Sequence, residues 1–174
     1  MNYVDIGCRA LLTVVFAAAA TGKVRHGGFA AFVASLAPIR WIGASARRPA
    51  ALATVAAEAL TVLLLWTPGT APAGYLLAVG TLAAFTATLV TGLRQGTTLR
   101  CRCFGHDAGP VRPHHVARNL GLGAVAVLGL ATTATTTMAT DPAGWAIALL
   151  TGAVAGLATT RWDDIAFVLS PPTR

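Results

Sequence analysis

The sequence predicts an all-α integral membrane protein, a helical bundle that crosses the bilayer five times. Three observations carry this. Hydrophobic residues fill 55% of the 174 positions and charged residues only 11%, less than half the roughly 25% of soluble domains. Apolar stretches recur at the length a bilayer demands, roughly 17–25 residues for a core about 30 Å thick. Lys and Arg outnumber Asp and Glu by 13 to 6, and they gather between these stretches rather than within them. The composition excludes a disordered chain and leaves too few charges to cover a soluble globule. The basic excess reads as loop charge beside membrane spans, with no nucleic-acid surface implied.

The first span is expected at Val4–Gly22. Leu11–Ala20 also resembles the apolar region of a signal peptide, but Asp5 sits in what would be the basic leader, where Arg9 is the only Lys or Arg. The next stretch, Lys23–Arg48, is too polar to span. Phe29, Phe32, Val33 and Leu36 recur at i, i+3, i+4 and i+7, predicting a short helix that lies in the interface or folds over the bundle, with Pro38 ending it. The second and third spans, Ala50–Trp66 and Gly74–Leu93, are joined by the turn residues Thr67-Pro68-Gly69. A fourth span is expected at Asn119–Ala139 and a fifth at Gly144–Thr160, joined by Asp141-Pro142-Ala143. This divides the chain into a membrane domain over 1–140 and an added helix and tail over 141–174. Abundant Ala, Gly and Thr suit close helix approach in lipid. Trp41, Trp66, Trp145 and Trp162 fall near span ends, as an aromatic belt would.

With these spans, 12 of the 13 basic residues fall on one side of the membrane and only Arg9 on the other. The positive-inside rule then places the amino terminus outside. Both long loops and the tail lie in the cytoplasm of a plasma-membrane protein.

Chemistry concentrates in Cys101-Arg102-Cys103-Phe104-Gly105. A Cys-x-Cys pair closes a very small disulfide ring, and strained disulfides are oxidising and labile. Arg100 and Arg102 favour the attacking thiolate. A metal site built from Cys101, Cys103, His106 and either His114 or His115 is an alternative. Its Cys spacing is tighter than the usual Cys-x₂-Cys, so no metal ligand is assigned. A third reading has the cysteines merely packing against the bundle. Glu58 stands mid-span, where an ionised group is expensive and usually functional. It pairs with an arginine, relays protons, or is protonated and bonded to a Thr; the structural alternative is a buried Glu that locks helices together. His114 and Arg118 share a helix face at i, i+4, where they steady a thiolate or a quinone oxygen, or anchor the helix. Cys8, at the far end of the first span, is expected to be an inert small hydrophobe.

In order along the chain, Thr21-Gly22-Lys23 with Phe29, Glu58, Phe85-Thr86, Cys101–Gly105 and Val116-Ala117-Arg118-Asn119 resemble the pattern of the MauE family, the methylamine utilisation membrane proteins, itself similar to the wider DoxX-like group. The resemblance covers roughly residues 3–135. It departs at Arg102, where the family pattern has Gly, and at the fifth span, which lies beyond the family's four-helix core. It implies support of disulfide formation or thiol delivery during maturation of a partner enzyme of the methylamine-utilisation type. The resulting expectation is a thiol–disulfide oxidoreductase or electron-transfer component. Its candidate residues are Cys101, Cys103, Glu58 and Arg118, a membrane quinone is a conceivable cofactor, and a thioredoxin-like protein or client enzyme is the partner. The alternative is a non-enzymatic assembly factor with a Cys/His docking or metal-holding loop.

Overall fold

A computed structural model describes residues 2–25, 27–39, 42–94, 113–134 and 141–162. Of the described residues, 88% are helical and none is in a strand. The first helix, α1 (Tyr3–Val24), starts at Asn2, whose side chain accepts the Asp5 backbone N–H at 2.8 Å and so satisfies one of the orphan donors of the first turn. A short helix, α2 (Gly28–Ser35), follows, within one residue of the Phe29–Leu36 periodicity at each end. After a 3₁₀ turn at Ala44–Ala46 come α3 (Arg47–Trp66) and α4 (Ala71–Arg94). The last two are α5 (Pro113–Thr133) and α6 (Pro142–Thr160).

Five of these, all but α2, are long and apolar enough to cross a membrane. The first, second, third and fifth spans begin within three residues of the positions expected from sequence. The fourth begins earlier, at Pro113 instead of Asn119, and ends at Thr133 instead of Ala139. Pro113 suits the first turn, where its missing N–H costs nothing. At the other end the Thr132 and Thr133 hydroxyls donate to the Gly129 and Leu130 carbonyls, each at 2.7 Å, satisfying acceptors that a helix terminus leaves open.

Up-and-down order sets the packing. α3 runs against α1, α4 against α3 and α5 against α4, while α6 runs parallel to α1. Helix α1 is therefore the hub, touching α2, α3, α5 and α6. Its buried Leu12, Val15 and Phe16 join Leu65, Tyr75, Ala78, Leu82 and Leu122 in one core. The α1–α6 pairing is the most extensive of all, so the helix expected as an addition to the bundle is built directly onto its centre. Small residues make this possible. Gly152 faces the Gly7 carbonyl, and a Cβ on Gly156 would stand 2.8 Å from Val14 Cβ. Two glycines four apart let backbones approach where lipid supplies no hydrophobic drive between helices.

Helix α2 folds back on the end of α1. Gly27 takes a left-handed φ of 76°, open to glycine at little cost, and Gly28 packs against the Gly22 and Lys23 carbonyls. This hairpin brings Phe32 under the bundle's edge, where it is 6% exposed. The element order places the chain ends of α1, α3, α4, α5 and α6 nearest Lys23, Arg47, Arg94, Pro113 and Thr160 at one end of the bundle. We refer to it as the basic end.

Candidate functional site

Two buried charge clusters lie inside the bundle, one toward each end, and they differ in a way that selects the site. At the end opposite the basic one, α1 carries Asp5 and Arg9 one turn apart. Arg9 holds the Asp5 carboxylate by two bonds, Nε to Oδ1 at 3.0 Å and Nη2 to Oδ2 at 2.8 Å. Its Nη1 donates to the Leu65 carbonyl at 2.6 Å, tying α1 to the end of α3. Tyr75 on α4 donates its hydroxyl to Asp5 Oδ1 at 2.8 Å. Gly129 on α5 makes room for the Tyr75 ring, which would collide with any Cβ there. Three helices, α1, α3 and α4, thus meet on one set of bonds in which both carboxylate oxygens are engaged, and α5 packs against it. A fully connected polar network of this kind specifies packing.

Toward the basic end, the cluster is incomplete. Lys23 belongs to the last turn of α1, and its side chain leans back along the helix, the direction Cβ geometry favours. Its Nζ donates to Glu58 Oε1 on α3 at 2.5 Å and to the Ala19 carbonyl at 3.4 Å. Both residues are 1% exposed. The ammonium also stands 5.1 Å from the centre of the Phe32 ring on α2 and 5.6 Å from that of Phe85 on α4. Cation–π attraction of this type reaches about 2 kcal/mol where water is excluded. Glu58 Oε2, however, is buried with no hydrogen-bond partner among the described residues. An open carboxylate lone pair in a low-dielectric interior is costly. It is also the place where a proton or a hydrogen-bond donor gains most.

Sequence reasoning singled out Glu58 but expected an arginine, a proton relay or a Thr around it. The ion-pair partner is a lysine. Lys23 had been counted as loop charge, yet its side chain lies inside the span. It was legible as the cation nearest a mid-span carboxylate once α1 and α3 were paired antiparallel. Arg118 lies in the second turn of α5, and the structure does not join it to Glu58. Likewise Arg9 and Asp5 were read as terminal charges, although their i, i+4 spacing is that of a helical ion pair. Cys8 is 7% exposed and sits in the apolar core, as expected of an inert thiol. Cys101, Cys103 and His106 lie outside the described residues. His114 and His115 stack at the start of α5 with ring centres 4.2 Å apart. Among the described residues no three His, Cys, Asp or Glu side chains come together as metal ligands would.

A cavity of about 360 Å³ adjoins the pair, between α2 with the turn after it, α3 and α4, and it shares Phe32 and Phe85 with the lysine. Residues 1–132, which cover α1 to α5 up to the last residue, match the family described as methylamine utilisation protein MauE. No match was found among curated proteins or among solved structures.

Proposed function

The chain belongs to the MauE family, and from that premise we propose that it is a membrane thiol–disulfide oxidoreductase or electron-transfer component that works through Cys101 and Cys103. The observation that carries this reading is the open Glu58 carboxylate oxygen beside Lys23. In this reading the pair exchanges protons, near the end of the bundle from which Arg94 and Pro113 lead into the Cys-x-Cys segment. A saturated pair would serve packing alone.

In the cycle, the thiolate of one cysteine attacks a partner's disulfide. One S–S bond breaks, a mixed disulfide forms, and a thiolate is released on the partner. The second cysteine attacks that mixed disulfide, closing Cys101–Cys103 and leaving the partner as a dithiol. Two electrons and two protons pass from chain to partner, and the reverse sequence oxidises the partner. Arg100 and Arg102 favour the thiolate. Glu58 takes up and returns protons, with Lys23 holding the charge balance. The partner is a thioredoxin-like protein or a client enzyme, of the methylamine-utilisation type where that system is present. The basic end faces the cytoplasm of the plasma membrane by the positive-inside rule. A second reading, favoured by the stacked His114 and His115 beside the same segment, is an assembly factor that docks a client without redox turnover.

Thiol trapping separates the two. Cys101→Ser and Cys103→Ser should each abolish exchange while leaving the fold intact. The variant that keeps the attacking thiol accumulates a partner disulfide, and the other forms none. Full activity in cells of both single variants would leave docking as the function.

A further inference from the structure

We propose that the cavity between α2, α3 and α4 binds the ring of an isoprenoid quinone. The reading rests on the redox role above for the source of electrons, but the site itself is built from described residues. At about 360 Å³ the cavity falls in the range of roughly 300–1,000 Å³ typical of small-molecule sites. Its walls combine two aromatic rings, Phe32 and Phe85, with aliphatic side chains and the small Ala50 and Ala84. Ala84 is exposed, so the cavity opens to the outside of the bundle, where within a span the surroundings are lipid. A flat ring with an isoprenoid tail suits that shape, the ring in the cavity and the tail in the bilayer.

Threonines supply the polar groups that an acyl chain would not need. Thr54 reaches the cavity from α3, and Thr81 and Thr88 from α4. Each hydroxyl now donates to the carbonyl four residues earlier, Ala50, Leu77 and Ala84, at 2.8 to 2.9 Å. Those carbonyls already receive the helix N–H bonds, so a hydroxyl that turns toward a ligand orphans no backbone group. Donors from two helices, α3 and α4, suit a ring with a carbonyl at each end. Phe32 and Phe85 are at once cavity wall and neighbours of Lys23. The Lys23–Glu58 pair is thereby one side chain removed from the cavity. When the Cys101–Cys103 dithiol closes to its disulfide it loses two electrons and two protons, and the quinone takes up both to become the quinol.

The test is direct binding of a decyl-tailed benzoquinone to the full chain in lipid nanodiscs, with decylbenzene as a probe that has the tail and ring but no carbonyls. Wild type should bind the quinone saturably and more tightly than decylbenzene. Ala84→Phe, which fills the cavity from an exposed position, should abolish saturable binding. Thr54→Val with Thr81→Val keeps size and removes two donors, and should weaken quinone binding about tenfold, leaving decylbenzene unchanged. Cys101→Ser should leave binding as in wild type. Equal affinity for both probes, insensitive to the valines, would make the cavity a lipid-chain site and overturn the proposal, as would absence of saturable binding. Quinone binding that is lost in Ala84→Phe while thiol exchange proves absent in wild type would keep the site and remove only the redox reading.

Discussion

Lys23 Nζ lies 2.5 Å from Glu58 Oε1, joining α1 to α3 across 35 residues of sequence. The lysine is one residue from the end of a membrane-spanning helix, a place from which such side chains ordinarily extend to the headgroups. Here it turns inward, because a carboxylate and two aromatic rings replace the water it gives up.

Removing either member should therefore hurt more than removing both. Glu58→Leu and Lys23→Met each leave an uncompensated buried charge, at a cost of about 3–5 kcal/mol. The double variant Glu58→Leu with Lys23→Met should recover most of the loss. Unfolding in mixed micelles would measure the coupling. Glu58→Gln is the functional counterpart, since it keeps size and hydrogen bonding but not the proton. Thiol-exchange turnover per folded molecule should fall in this variant.

The opposite network makes a contrasting prediction. Tyr75→Phe removes the hydroxyl that reaches Asp5, and a bond to a charged group is worth about 1.5–3 kcal/mol. Stability should drop by that order. Thiol exchange should be unchanged once the protein is folded, because every acceptor in this cluster serves packing.

Packing of α6 depends on Gly152 and Gly156. Gly152→Leu forces a side chain into the Gly7 carbonyl and Ala10, and overpacking of this kind costs about 1–3 kcal/mol, more where backbone is the obstacle. Limited proteolysis should release the residues beyond 141 from this variant first. Leucine at the exposed Val154 position faces away from α1 and should change nothing.

Topology is open to chemical labelling. In intact cells a membrane-impermeant thiol reagent should leave Cys101 and Cys103 unmodified, and both should react once the membrane is opened. Cys8, buried among Leu12, Tyr75 and Leu122, should stay unreactive in either case until the protein is denatured. Reaction of the pair in sealed cells would reverse the orientation inferred from loop charge.

The spans were readable because hydrocarbon thickness imposes one length on every crossing helix, and turn residues such as Pro68 and Asp141 mark where each begins or ends. The fourth was read six residues too late. Its polar first turns, His114 to Arg118, do not look apolar, yet a helix starts where backbone geometry permits, not where hydropathy rises. Glu58 was visible as an expensive residue in the wrong solvent. Its partner was not, because Lys23 looks like any other loop cation until helix pairing shows which way it points.

Composition and periodicity alone determined that this chain is a bundle of membrane helices. They also indicated that its basic residues gather on one side, because bilayer burial acts on each segment independently of the others. Tertiary structure decided which charges meet. Asp5, Arg9 and Tyr75 close into a satisfied lock, while Lys23 and Glu58 leave one carboxylate oxygen open. That difference depends on the register of α1 against α3 and α4. Close contacts at small residues fix how the neighbouring helices seat, Gly74 of α4 on Leu64 and Leu65 of α3, and Gly129 of α5 on Tyr75 of α4. Such contacts join residues far apart in sequence, and their energies arise only once the helices are side by side.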